Sequence, residues 1–313
     1  MIERIEMCVT GIQDLTPEIK EFRLSNVSDR PLPTAVAGAH ITVETPSGAM
    51  RRYSLLHPDN NPESYTIAVK RETASRGGSQ SMHTDLSAGD SINIEPPQND
   101  FALVSADRYL LIAGGIGITP IYAMVEALSA ANKPFQLIYC TRSPEHTAYG
   151  KDLQQLCGNA ITLHHDQGEP ALVYDFWDHF ESPGKEHVYC CGPAPLMEEV
   201  KALSGHWPEE NIHFEEFKTV EIIREDDKPF DIILEKSNRK LTVPADRTIL
   251  ETIRDADIKT TSSCESGTCG TCRTRLISGE VDHRDMVLLD EEKENQIMIC
   301  ISRANKGDLI LDL

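Results

Sequence analysis

Short apolar-rich stretches, in part alternating with polar residues, recur between turn signals through the first hundred positions. "RIEMCVTGIQDL" (4–15), "IKEFRLSN" (19–26), "AHITVET" (39–45), "MRRYSLLH" (50–57), "SYTIAVKRE" (64–72) and "SINIEPP" (91–97) each read as a half-buried strand between turn signals. Short strands at such intervals predict a small antiparallel barrel. The pattern then changes. "RYLLIAGGIGITPIYAMVEALSAAN" (108–132) is an apolar strand, a glycine turn and a helix with Pro120 in its first turn, where the missing N–H is harmless. "PFQLIYCTRS" (134–143), "ITLHHDQGEP" (161–170) and "HVYCCGPAPLMEEVKAL" (187–203) continue the alternation of strand and helix, which predicts a parallel sheet. A third pattern closes the chain. "FDIILEKSNRKLTV" (230–243) reads as two strands about a polar turn, and "RTILETIRDADI" (247–258) as an amphipathic helix. "TRLISGEV" (274–281) reads as strand and turn, and "IMICISRA" (297–304) and "DLILDL" (308–313) as final strands.

The 313 residues are long enough for about two or three domains. A hydrophobic content of 40% supplies ample core. The net charge of −20 is spread so that no third of the chain is basic: residues 1–106 carry 9 basic and 14 acidic side chains, 107–226 carry 8 and 19, and 227–313 carry 13 and 17. This argues against a nucleic-acid partner, which needs clustered Lys and Arg. No apolar run approaches the length of a membrane span, and the N-terminus lacks the pattern of a signal peptide, so the expected location is the cytoplasm.

In that reducing compartment nine cysteines are not expected to form disulfides. Five are scattered, mostly in strand-like runs that suit buried thiols. The other four are Cys264, Cys269, Cys272 and, after 27 further residues, Cys300. Structural zinc uses paired knuckles, and only one Cys-x2-Cys pair is present. The x4-x2 spacing with a distant fourth thiol is that of a plant-type [2Fe–2S] cluster. Gly267 and Gly270 would let backbone N–H groups approach its sulfides, and a distant strand would supply the fourth ligand. The surrounding strands and helix make a ferredoxin domain of about ninety residues, small enough that a cluster would compensate for limited core burial.

Other stretches offer binding chemistry. A strand, a glycine turn and a helix N-terminus form an anion-binding corner at 114–119, although the glycines also suit an ordinary tight turn. Ligands of parallel sheets bind beyond the carboxyl ends of the strands, here Gly114–Thr119, Thr141–Arg142 and Cys191–Pro193. "RRYS" (51–54) puts Arg51 and Tyr53 on one face of a strand and Ser54 on the other. "RGGS" (76–79) is a candidate phosphate cradle. His164 and His165 alternate on a strand and lack a third catalytic partner.

The order of these motifs resembles the phthalate dioxygenase reductase family, within the ferredoxin–NADP reductase superfamily. "RRYSL", "AVKR", "RGGS", "GGIGITP", "CCGP", "HWP", "HFEEF", "CESGTCGTC", "DHRDMVL" and "QIMICISRA" stand in that family's order across essentially the whole chain. The resemblance implies an FMN-binding β-barrel at 1–102, an NADH-binding α/β domain at 103–220, a linker at 221–229 and a plant-type [2Fe–2S] ferredoxin domain of the β-grasp kind at 230–313. It implies that Arg51 meets the FMN phosphate with Gly77, Gly78 and Ser79, and that Arg52 shares or usurps that role. Tyr53 and Ser54 would pack on the isoalloxazine, Ala68, Val69 and Lys70 would line it, and Thr119 would reach it. Gly114, Gly115 and Gly117 would receive the NADH pyrophosphate, Thr141 and Arg142 its ribose. Cys191, followed by Gly192 and Pro193, would sit by the nicotinamide, and Phe217 would cover the flavin.

The implied activity is electron transfer from NADH through FMN and the cluster to a Rieske-type oxygenase, in a system for phthalate or a related aromatic acid. Two-electron hydride and one-electron cluster chemistry require a flavin between them. The implied protein is a monomer. A reductase for a diiron monooxygenase and a flavin/iron–sulfur redox sensor are the competing readings; a sensor would carry an effector module, for which no residues are left over.

Overall fold

The six stretches become β1 (Ile5–Asp14), β2 (Ile19–Asn26), β3 (His40–Glu44), β4 (Met50–Leu56), β5 (Ser64–Lys70) and β6 (Ser91–Ile94). The computed structural model describes residues 4–28, 30–59, 62–72, 77–217, 223–224, 226–262, 267 and 270–313. Antiparallel pairing closes the six strands into a barrel in the order β1-β2-β5-β4-β3-β6. Inward positions such as Met7, Phe22, Ile41 and Ile67 fill it, as a period of two demands. A short helix, α1 (Gly78–Thr84), lies between β5 and β6.

The strand–helix alternation builds a five-stranded sheet of parallel strands in the order β11-β10-β7-β8-β9. Its elements are β7 (Tyr109–Gly114), α2 (Ile118–Ala130), β8 (Phe135–Thr141), α3 (Gly150–Cys157), β9 (Ile161–His165), α4 (Trp177–Phe180), β10 (His187–Cys191), α5 (Ala194–Ser204) and β11 (Ile212–Glu215). The barrel and this sheet share a core. Ile19, Leu56 and Ala68 of the barrel belong to one apolar cluster with Leu111, Ile118 and Ile121. At its edge the His57 imidazole meets Glu126 of α2 at 2.8 Å, and the Tyr149 hydroxyl donates to Glu21 at 2.7 Å. Residues Met1–Phe217 accordingly form one compact unit, without a separation near position 102.

The second unit, Lys218–Leu313, is a sheet in the order β13-β12-β16-β14-β15 with one helix. Its elements are β12 (Phe230–Leu234), β13 (Arg239–Val243), α6 (Ile249–Asp255), β14 (Arg273–Asp282), β15 (Gln296–Met298) and β16 (Arg303–Leu311). A capping box starts α6: the Thr248 hydroxyl accepts from the Glu251 N–H, and the Glu251 carboxylate accepts from the Thr248 N–H.

Three expectations for this unit are corrected. "TRLISGEV" does not end in a turn: β14 runs on through it, its ladder shifting register between Leu276 and Val281, with Gly279 at φ +121° absorbing the irregularity. "IMICISRA" is not one strand. β15 stops at Met298, Cys300 sits in the following turn, and Arg303 begins the long β16. Cys300, expected as the fourth ligand, is therefore on a turn, where its sulfur is not committed to a face of the sheet. The charge-rich run read as a linker is in part built into the unit. Residues 218–222 and 225 lie outside the described residues, but Ile223 packs on the core of the unit. Asp227 is buried between Arg284 and Arg303.

Candidate functional site

Residues of β4 alternate as the strand geometry requires. Arg51 donates to the Met50 carbonyl at 2.7 Å, and its guanidinium stem lies against Gly78, where a Cβ would come 3.0 Å from Nε. Gly78 thus owes its bareness to Arg51, and Gly77 beside it holds φ +86°. Ser79 accepts the Glu72 N–H at 3.1 Å. Arg76 lies outside the described residues. Arg52 turns the other way, to Asp100 at 3.3 Å, and does not join Arg51. Tyr53 Oη and Ser54 Oγ are buried with no hydrogen-bond partner among the described residues. Burial raises the Tyr53 phenol above its ordinary range, against the opposing charge of Arg51. Such orphaned hydroxyls point to a ligand that is part of the working protein. A flavin with a terminal phosphate fits them and the Arg51–Gly78 contact. On β5, Ala68 packs in the shared core, Val69 in the barrel core, and Lys70 pairs with Glu72 at 2.7 Å.

The glycine corner after β7 has two kinds of glycine. A Cβ on Gly114 would meet Pro193 at 2.5 Å, and one on Gly117 would meet the Cys191 carbonyl oxygen at 2.2 Å. These two are bare because the turns after β7 and β10, neighbouring parallel strands, press together. Gly115 differs: it holds φ +52°, and a Cβ there would meet nothing within 4 Å. It is the corner's open edge. Thr119 is buried and donates to the Ile116 carbonyl at 3.1 Å, tying the turn to α2. Gly192 lies at the same contact, its own Cβ position 3.1 Å from the Gly114 backbone.

Farther along the sheet edge, Thr141 is buried and bonded to Thr147 at 2.7 Å and to His165 Nδ1 at 2.9 Å. Arg142 is exposed, its carbonyl accepting the Gln167 N–H at 2.8 Å. His164 turns instead to the Leu172 carbonyl, and the two histidines alternate across β9.

Glu215 was not singled out by its sequence. It is in register with Cys191 on β11, and its Oε2 is buried without a partner among the described residues. Burial, reinforced by the Asp100 charge and opposed by Arg52, pushes its carboxyl up to about 8. Burial also raises the Cys191 thiol well above its ordinary value, with the Glu215 charge adding to it, so Cys191 is a neutral thiol at pH 7. The available signal was an acid at alternate spacing with His213 inside the strand "IHFE". Phe217, two residues on, is 42% exposed.

In the second unit Cys264 and Cys269 lie outside the described residues. Cys272 and Cys300 are both buried in its core. Gly267 (φ +73°) passes between two turns: a Cβ there would lie 2.9 Å from Ile301 and 3.2 Å from the Asp285 backbone. Met286 donates its N–H to the Gly267 carbonyl at 3.1 Å. Two buried core thiols, and positive φ at Gly267 and Gly270, suit a cluster with thiolate ligands.

A profile of 2Fe–2S iron–sulfur cluster binding domains matches residues 232–305, and one of oxidoreductase NAD-binding domains matches residues 111–202. The chain is 46% identical to the phthalate 4,5-dioxygenase oxygenase reductase subunit of Pseudomonas putida, over 99% of both chains. It is 44% identical to the phthalate dioxygenase reductase of Burkholderia cepacia, over 99% of this chain and 97% of that one. Superposition on a solved phthalate dioxygenase reductase, described as a modular structure for electron transfer from pyridine nucleotides to [2Fe–2S], gives a TM-score of 0.88 over 99% and 98% of the two chains at 44% identity. With barrel, parallel sheet and cluster-binding fold all present in one order, the chain belongs to the phthalate dioxygenase reductase family.

Proposed function

We propose that this protein is the reductase of a two-component oxygenase, taking electrons from NADH in its first unit and releasing them singly from a [2Fe–2S] cluster in its second, to a Rieske-type oxygenase for phthalate or a related aromatic acid. The observation that carries this reading is the match over 99% of both chains to a reductase subunit of an oxygenase. A carnitine monooxygenase reductase subunit of Escherichia coli, 36% identical over 99% of each chain, widens the substrate class of such systems, so the aromatic acid rests on the higher identity of the phthalate reductases.

The residue roles extend the family resemblance, and the geometry supports them. Arg51, with Gly77, Gly78 and Ser79, would hold the phosphate of FMN at the barrel rim. Tyr53 and Ser54 would give their orphaned hydroxyls to the isoalloxazine, with Ala68, Val69, Lys70 and Thr119 lining it. Gly115 would leave its open edge to the NADH pyrophosphate, while Gly114, Gly117, Gly192 and Pro193 keep the corner tight. Thr141 and Arg142 would face the ribose. Cys191 would pack beside the nicotinamide as an uncharged surface, Glu215 behind it would retain its proton at pH 7, and Phe217 would exclude water from the flavin. Bound there, FMN supplies the exchange between a hydride and single electrons. Cys264, Cys269, Cys272 and Cys300 would hold the cluster. No acid–base triad is required, because the chain's task is to stack, orient and dry the reacting groups. In this reading the barrel and parallel sheet, within Met1–Phe217, carry the hydride chemistry and the cluster fold, within Lys218–Leu313, the single-electron exit, in a monomeric cytoplasmic protein. Among the described residues no helix is long and apolar enough to cross a membrane.

Purified protein should contain about two iron and two acid-labile sulfide per chain, with one FMN released on denaturation, and NADH should bleach both chromophores anaerobically. Stoichiometric zinc without sulfide, or a chain that NADH leaves unreduced, would overturn the reading.

A further inference from the structure

The segment 285–289 in the second unit is braced by hydrogen bonds, yet it presents apolar side chains to solvent. The buried Asp285 carboxylate accepts the N–H groups of Val287 (3.2 Å) and Leu288 (2.8 Å), and Leu288 is anchored in the core. Held in this way, Met286 and Leu289 point outward at 64% and 69% exposure, the two highest values of any large hydrophobic side chain among the described residues. Scattered exposed apolar residues are ordinary, but here two stand three positions apart on one braced segment. The segment also touches the cluster loop, through the Met286 N–H bond to Gly267, between Cys264 and Cys269 in the sequence.

The surround is acidic. Asp290 and Glu292 are compensated by Lys293 (2.9 Å) and Arg273 (2.7 Å), while Glu291 and Glu294 stand exposed beyond them. Apolar residues with a charged rim have the anatomy of a transient protein interface. The sign of the rim selects its occupant: an electron-accepting protein whose surface offers an apolar socket ringed by Lys and Arg. We infer that Met286 and Leu289 are the docking anchors through which the cluster loop meets the electron acceptor, with Glu291 and Glu294 steering the approach. The inference rests on the proposed function, since it needs an acceptor that takes electrons from the second unit.

The test uses the intact holoprotein and, as acceptor, the oxygenase component of the Pseudomonas putida phthalate 4,5-dioxygenase system. Met286→Ser and Leu289→Ser should each raise the KM for the oxygenase about fivefold or more. Iron, sulfide, the visible spectrum of the cluster and NADH–ferricyanide turnover should stay unchanged. Glu291→Gln/Glu294→Gln should instead lower the association rate and flatten its dependence on salt. Unchanged KM in both serine variants, with a wild type that reduces the oxygenase, would overturn the docking surface and leave the proposed function standing. A wild type that reduces ferricyanide but never the oxygenase would overturn both.

Discussion

Two places in the molecule treat buried polar groups in opposite ways, although Thr260 Oγ1 and His283 Nδ1 of the second unit also lack a hydrogen-bond partner among the described residues. In the first unit, Tyr53 Oη, Ser54 Oγ and Glu215 Oε2 are buried without a hydrogen-bond partner among the described residues. In the second, the buried charges are saturated. Asp227, 6% exposed, takes Arg284 on both oxygens and lies 3.5 Å from Arg303. Arg303 in turn donates to the carbonyls of Arg247, Pro244 and Lys228. Burial alone would raise the Asp227 carboxyl, yet the bonds from Arg284 and the Arg224 N–H hold it below the usual range. An unsatisfied group costs about 1–3 kcal/mol, so a fold keeps it only where something else completes it. The contrast sets a pocket that a ligand would complete against a charge cluster that the protein completes by itself.

Breaking the saturated side should have the largest effect. Arg284→Met takes the two-oxygen partner from Asp227 and leaves it only the Arg224 N–H and Arg303 at 3.5 Å, and should destabilise the second unit by up to about 3–5 kcal/mol. Denaturant unfolding followed at the visible absorbance of the cluster should shift, while the flavin signal of the first unit holds its midpoint. A common shift of both signals would mean that the units are not energetically separate.

The glycine corner sharpens the comparison within the first unit. Gly117→Ala drives a Cβ to 2.2 Å from the Cys191 carbonyl, and the overpacking should cost about 1–3 kcal/mol and weaken NADH-dependent flavin reduction. Gly115→Ala meets no atom and bears only the left-handed strain of about 1–2 kcal/mol. Its effect should fall on the KM for NADH more than on stability. Equal effects of the two would show that the corner's bareness serves one purpose, not two.

A smaller effect concerns Glu215. Its carboxyl is raised from 4.5 to about 8 in the folded chain, so between those values the folded state keeps a proton that the unfolded chain has released. Stability from this group therefore falls as pH rises through that window. Glu215→Gln should flatten the decline of the thermal midpoint between pH 5 and 8, an effect confined to the first unit. A slope identical to wild type would mean that Glu215 is charged in the folded protein.

Much of this was legible in the chain. Short β-rich stretches between turn signals gave all six barrel strands, although β3 is buried at consecutive positions and so does not show a solvent face in its sequence. The order of strand, glycine and helix gave the parallel sheet, and thiol spacing gave the cluster. What escaped has physical causes. Gly279 reads as a turn residue, but its positive φ can equally absorb a register shift within a strand. Cys300 lies in an apolar run that looks like strand, although the run turns there to reach β16. Arg51 and Arg52 are adjacent in sequence and were given one role, whereas the strand sends them to opposite faces. Glu215 is ordinary as a residue type, and only its burial beside Cys191 marks it.

The central claim is that hydride chemistry belongs to the first unit and single-electron exit to the second. The direct measurement compares the full chain with one ending at Phe217, the last residue of the first unit. The shortened chain should bind flavin and reduce ferricyanide with NADH at a rate close to that of the full protein, and should pass no electrons to the oxygenase. Oxygenase turnover undiminished in the shortened chain would contradict the account, because the electrons would then be leaving from the flavin.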